Sequence, residues 1–152
     1  MMGLDMYLTA KRYLSQYPED GADAKIAKVV GALPIGNQGM RVKEVSCEAM
    51  YWRKSNAIHR WFVDHCQQGQ DDCREYYVSI EDLEHLLADC ETILSDQKKA
   101  PDVLPTCAGF FFGSTDFDEW FWQDIERTVS ELQNILDNPD LMKWEFYYRS
   151  SW

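Results

Sequence analysis

No apolar run in the chain approaches the roughly 18–20 residues that a membrane-spanning helix needs. The opening stretch Met1–Leu14 already holds Asp5, Lys11 and Arg12. It lacks the apolar core and small-residue cleavage site of a signal peptide, so a cytoplasmic protein without a membrane partner is expected. The five cysteines, Cys47, Cys66, Cys73, Cys90 and Cys107, are odd in number and show no close pairing pattern. They do not form a disulfide framework, and buried free thiols are the reading. Three nucleotide and nucleophile signatures are also missing. There is no glycine-rich dinucleotide turn, no Gly-Lys-Ser/Thr phosphate loop and no Gly-x-Ser-x-Gly elbow. No cofactor is therefore expected.

Positive charge is scarce in the second part of the chain. Residues 1–62 hold nine Lys/Arg against six Asp/Glu, whereas residues 63–152 hold six against twenty. Nucleic acid is a polyanion, and a chain of net charge −11 is poorly suited to bind it directly. An acidic surface can instead meet a basic protein face, imitate DNA, or simply keep the chain in solution.

What is present is enough apolar material for a core. Of 152 residues, 45% are hydrophobic, and the aromatics include six Trp. That size and composition fit one globular domain spanning 1–152. If some Trp and Tyr side chains are exposed, a symmetric homodimer is a reasonable arrangement.

The pattern along the chain alternates strands and helices. Leu4–Leu14 reads as a strand, Tyr17–Asp23 as a loop and Ala24–Val30 as a short helix or turn. The glycines and Pro34 of Gly31–Gly39 require the chain to turn. Arg41–Trp52 reads as extended, though its two faces are mixed. Ser55 is placed to N-cap a helix Asn56–Gln68, which stops at Gly69. Glu75–Val78 reads as a short strand. Ser79 and Asp82 form a capping box for Ile80–Asp96, whose Leu83, Leu86, Leu87, Cys90, Ile93 and Leu94 share one apolar face. Gln97–Pro105 reads as a polar loop and Cys107–Phe112 as a buried strand broken by Gly113. Asp116 with Glu119 opens a helix to Asn138, with Phe121, Ile125, Val129, Leu132 and Leu136 inward. Lys143–Trp152 closes as an aromatic strand. The sum is an α+β fold: a small mixed or antiparallel sheet with about three helices packed mainly on one face.

Four patches together resemble a known group. They are Met2-Gly3-Leu4-Asp5-Met6-Tyr7-Leu8, Tyr51–His59 followed by Trp61-Phe62-Val63, Gly109–Asp116 with Asp118-Glu119-Trp120, and Phe146–Trp152. The chain resembles a family of small uncharacterised proteins carried by bacteriophages and bacteria. The patches span most of the chain, and Gly21–Gly39 departs from the pattern. The resemblance implies a phage or prophage context, hence a host cell's cytoplasm, and supplies no reaction.

Two places could hold a site. Arg53 and Lys54 sit at the junction of a strand and a helix. Asn56 and His59, three apart on that helix, are the candidate catalytic pair, with His59 as acid or base. Arg53 or Lys54 would hold an anion. The same residues could instead fix the junction by hydrogen bonds to backbone. The second place is Ser114, Thr115 and Asp116, where free amides before a helix could receive a ligand. The acidic residues there favour capping over anion binding. No metal is expected. His59, His65, Cys66 and Cys73 fit no common zinc module, and Asp116, Asp118 and Glu119 do not match a calcium loop. With no complete catalytic signature, the expected function is a non-enzymatic accessory protein that binds a host or phage protein. A small enzyme or ligand-binding domain using Lys54, Asn56, His59 and Asp116 is the alternative, and an acidic DNA mimic the third.

Overall fold

The computed structural model describes residues 3–15, 21–31, 42–109 and 114–152. Strand β1 (Asp5–Tyr13) sets the pattern for the rest. Its inward residues Met6, Leu8, Ala10 and Arg12 are buried, while Tyr7, Thr9 and Lys11 between them are half-buried. Period-two alternation of this kind places one side of a strand in a core and the other against water. β1 lies inside a four-stranded antiparallel sheet of order β2-β1-β4-β3, with β2 at Glu44–Arg53, β3 at Tyr76–Val78 and β4 at Glu145–Ser151. The first and last strands are therefore neighbours.

The register aligns the apolar residues. Met6 faces Trp52 and Ser150, Leu8 faces Met50 and Tyr148, and Ala10 faces Phe146. Helices α2 (Asn56–Cys66), α3 (Ile80–Ser95) and α5 (Glu119–Leu136) cover that side. Ile58, Trp61, Phe62, Leu83, Leu86, Cys90, Ile93, Ile125 and Leu132 join the sheet residues in one buried cluster. Each large apolar side chain fully removed from water contributes roughly 1.5–3 kcal/mol. The opposite side of the sheet is partly open. It carries the tyrosine pairs Tyr7–Tyr51 and Tyr77–Tyr147, with ring centroids 5.4 and 5.8 Å apart, and the Lys11 ammonium over the Tyr147 ring. The architecture is α+β with an antiparallel sheet, as the pattern of the sequence implies.

Three details differ from the expectations. The region Gln97–Pro105 is not a plain loop. It holds a 3₁₀ turn, Gln97–Lys99, and a short helix α4 (Ala100–Val103), because Asp96 caps the turn through Lys98 N–H and Pro101 suits a helix start. Ala100 and Leu104 are buried and anchor it. With α1 (Gly21–Gly31), the described residues hold five α-helices rather than three. α1 begins inside the expected loop Tyr17–Asp23. It is tied to β1 by a buried ion pair, Arg12 Nε to Asp23 Oδ1 at 2.7 Å. Residues 107–109 of the expected strand Cys107–Phe112 lie outside the sheet. The amide of Cys107 goes to a side chain, Asn56 Oδ1, rather than to a ladder. The remainder of that strand, Gly113 and the turn over 32–39 fall outside the described residues. Among the described residues, no helix is long and apolar enough to cross a membrane.

Candidate functional site

The site is built where β2 hands over to α2. Lys54 carries the chain round the corner with φ of +55°, a left-handed conformation that a residue with a Cβ adopts reluctantly. Its amide still donates to the Leu4 carbonyl at 2.7 Å, so the strand is held to its last residue. Ser55 occupies the N-cap position of α2 but makes no side-chain capping bond. Its hydroxyl instead lies toward the Asp124 carboxylate of α5, whose charged form it favours. The expected N-cap thus keeps its position without its capping bond.

Asn56, the first residue of α2, ties in the segment that precedes α5. Its side-chain amide donates to the Ser114 carbonyl and its oxygen accepts from the Cys107 amide at 3.1 Å. The Thr106 hydroxyl donates to the Thr115 carbonyl at 2.8 Å, closing the same segment on itself. α5 starts two residues later than Asp116 would require. Asp118 is its N-cap and accepts from the Phe121 amide at 3.0 Å. Asp116 lies outside the helix, where its amide donates to Ser114 Oγ.

The two helix entrances therefore converge and enclose a cleft of about 340 Å³. Arg53, Lys54, Ser55 and Asn56 line it from one side, and Ser114, Asp116, Asp118 and Asp124 from the other. Ala57, Trp120, Phe121 and Gln123 complete the lining, and Trp120 is 74% exposed. The cleft thus holds both signs of charge and an aromatic surface. Burial raises the carboxyl of Asp124, while Arg127 and the Ser55 hydroxyl pull it down. Among the described residues, no lining residue is a histidine or a cysteine.

The structure gathers Arg53, Lys54, Asn56, Ser114 and Asp116 around one cleft. It does not bring His59 there. The His59 ring is fully buried one turn further along α2, between Tyr148 of β4 and Asp71 of the loop after α2. Asn56 and His59 share a helix but serve different neighbours, so the pair has no common substrate position. Thr115 is exposed and is absent from the lining. Sequence reasoning missed Trp120, Gln123 and Asp124. The available signal was their spacing: three and four residues apart, they share a helix face off the apolar stripe through Ile125 and Leu132.

Thiol chemistry gains no support from the surroundings. Burial, aided by Asp82, pushes the Cys66 thiol up to about 12, and burial also raises Cys90 and Cys107. A thiol raised in this way is a weaker nucleophile, which adds nothing to the adjacency of His65 and Cys66. The grouping of His59, His65, Cys66 and Cys73 is likewise not a zinc site, since His59 is committed to Tyr148 and Asp71. The exposed carboxylates among the described residues lie on β2, α2, α3, α4, α5 and β4 and in the loops between them rather than along one element. No protein-family model, curated protein or solved structure matches the chain.

Proposed function

We propose that the protein is a non-enzymatic accessory protein that binds another protein by taking a short segment of it into the cleft between the α2 and α5 entrances. The observation that carries this reading is the lining itself. It sets cations and carboxylates beside an exposed Trp, while His59 of the same helix is buried away from the cleft. A volume near 340 Å³ suits one or two side chains of a partner. A basic anchor residue fits best. Asp116 and Asp118 supply the charge, and the Trp120 face supplies a cation–π surface. Arg53 and Lys54 are placed to hold a carboxylate or carbonyl of the same segment. Exposed Trp and Arg beside a partly enclosed depression is also the usual composition of a binding hot spot. The resemblance to phage and bacterial proteins gives the reading its context, a host or phage protein as partner.

The test is selection from a displayed random-peptide library. The expected outcome is enrichment of peptides sharing a Lys or Arg anchor. Their binding weakens with salt and falls with Trp120→Ala by about 2 kcal/mol. Selected peptides that bind Trp120→Ala and Lys54→Glu as well as the wild type would refute the assignment.

A further inference from the structure

A second cluster lies away from the cleft, where the last turn of α2 meets the middle of α3. His65, His85 and Asp89 each offer one ligand atom there, and these atoms all lie within 4.8 Å of one another. We propose that these three side chains form a binding site for a divalent transition-metal ion of the zinc class, with a further coordination position open to solvent.

Zinc bonds of roughly 2.0–2.2 Å in a tetrahedron bring ligand atoms to about 3.4 Å from each other. His85 Nε2 and Asp89 Oδ2, one helical turn apart on α3, already stand at 3.3 Å. The His65 ligand atom stands within 4.8 Å of both, and binding requires it to approach to about 3.4 Å from α2. The tautomer of His65 is right for a ligand. Its Nδ1 faces the Trp61 carbonyl at 2.8 Å, and a carbonyl can only accept, so Nδ1 carries the proton. The Nε2 lone pair is then left for a metal, as in most histidine-ligated sites.

Trp61 organises the whole group. Its ring is nearly buried and stacks on His65 with centroids 4.2 Å apart and planes 13° apart. It meets His85 edge-on at 5.4 Å. Its indole N–H donates to Asp89 Oδ2 at 2.8 Å, fixing the carboxylate. Two imidazoles and one carboxylate, each oriented by a neighbour, select zinc-like ions over magnesium or calcium, which prefer oxygen ligands alone. A plain surface pair between His85 and Asp89 would need neither His65 nor the indole. His65 and Trp61 come from α2 and His85 and Asp89 from α3, so a bound ion would clamp the two helices.

The probe is Co²⁺, followed by competition with Zn²⁺, in protein whose exposed thiols are removed by Cys47→Ser and Cys73→Ser. The expected result is saturable binding of one Co²⁺ per chain, with visible d–d bands and no thiolate charge-transfer band, reversed by Zn²⁺. His85→Ala, at a half-exposed position, should weaken binding by roughly tenfold or more. Asp89→Asn should do the same, and Trp61→Phe should weaken it by about tenfold through lost orientation. Zinc should raise Tm in the parent and not in His85→Ala. Failure to saturate with Co²⁺, or affinity unchanged by His85→Ala and Asp89→Asn, overturns the proposal. Cleft variants such as Trp120→Ala should leave metal binding unchanged.

Discussion

Tyr148 donates its phenolic O–H to His59 Nδ1 at 2.6 Å, and both side chains are fully buried. The other ring nitrogen of His59 meets Asp71 Oδ1 at 2.9 Å. Tyr148 also stacks on Phe62, with ring centroids 4.0 Å apart. One hydrogen-bonded line therefore joins β4, α2 and the loop before β3. A neutral imidazole here is held inside the core with a partner on each ring nitrogen. Burial lowers the His59 pKa from its ordinary 6.5, with Asp71 pulling less strongly the other way. The phenol of Tyr148 is raised well above its usual value, chiefly by burial.

Stability should therefore fall in mild acid. The unfolded chain takes up the histidine proton near pH 6.5, whereas the folded chain takes it up only at lower pH. Between those values the unfolded state holds more protons, so the stabilisation is present above pH 6.5 and is lost as pH drops through the folded pKa. One proton limits the slope to about 1.4 kcal/mol per pH unit. Urea unfolding at a series of pH values, compared with His59→Gln, isolates the effect. Equal slopes in the two proteins would contradict it.

Thr128 matters more than its modest size indicates. The Trp52 indole N–H donates to its hydroxyl at 2.8 Å, and that hydroxyl donates on to the Asp124 carbonyl. All of this is sealed between sheet and α5. Thr128→Val keeps the shape and leaves the indole N–H buried without an acceptor. The expected loss is about 1–3 kcal/mol in urea unfolding, with little change in the denaturant slope.

Lys54 offers a separation of binding from stability. Its left-handed backbone is relieved by glycine but not by alanine. Lys54→Gly should be more stable than Lys54→Ala by about 1 kcal/mol. Both should lose the same share of peptide affinity, because both remove the ammonium from the cleft. Equal Tm values for the two variants would show that the conformation carries no strain.

Much of this fold was legible because a few segments obey a single period. α3 carries its apolar residues at helical spacing, and its capping box forms in both halves, Ser79 to the Asp82 amide and Asp82 back to the Ser79 amide. β1 alternates cleanly. β2 did not, and the reason is a bulge. The register with β1 shifts between Leu8 and Thr9, which pair with Met50 and Glu48 and leave Ala49 extra. An extra residue moves every later side chain to the other face, so no single alternation runs through the strand. The residue types mark each helix entrance as a candidate, but nothing local reports that the two share a cleft or that His59 lies deep in the core. Its partners Asp71 and Tyr148 lie 12 and 89 residues away, and no local spacing reports them. Asp118 displaced Asp116 as the cap for a comparable reason, since both are acceptable caps and the segment's ties to Asn56 select the register.

The most direct test of the cleft as the binding surface follows NMR signals during titration with a selected basic peptide. The account predicts that the Trp120 indole signal and the amides of Lys54, Asn56, Ser114 and Asp116 shift together and saturate. The indole signals of Trp52 and Trp61, both buried, should stay in place. Shifts confined to the open tyrosine face of the sheet, with Trp120 unmoved, would contradict it.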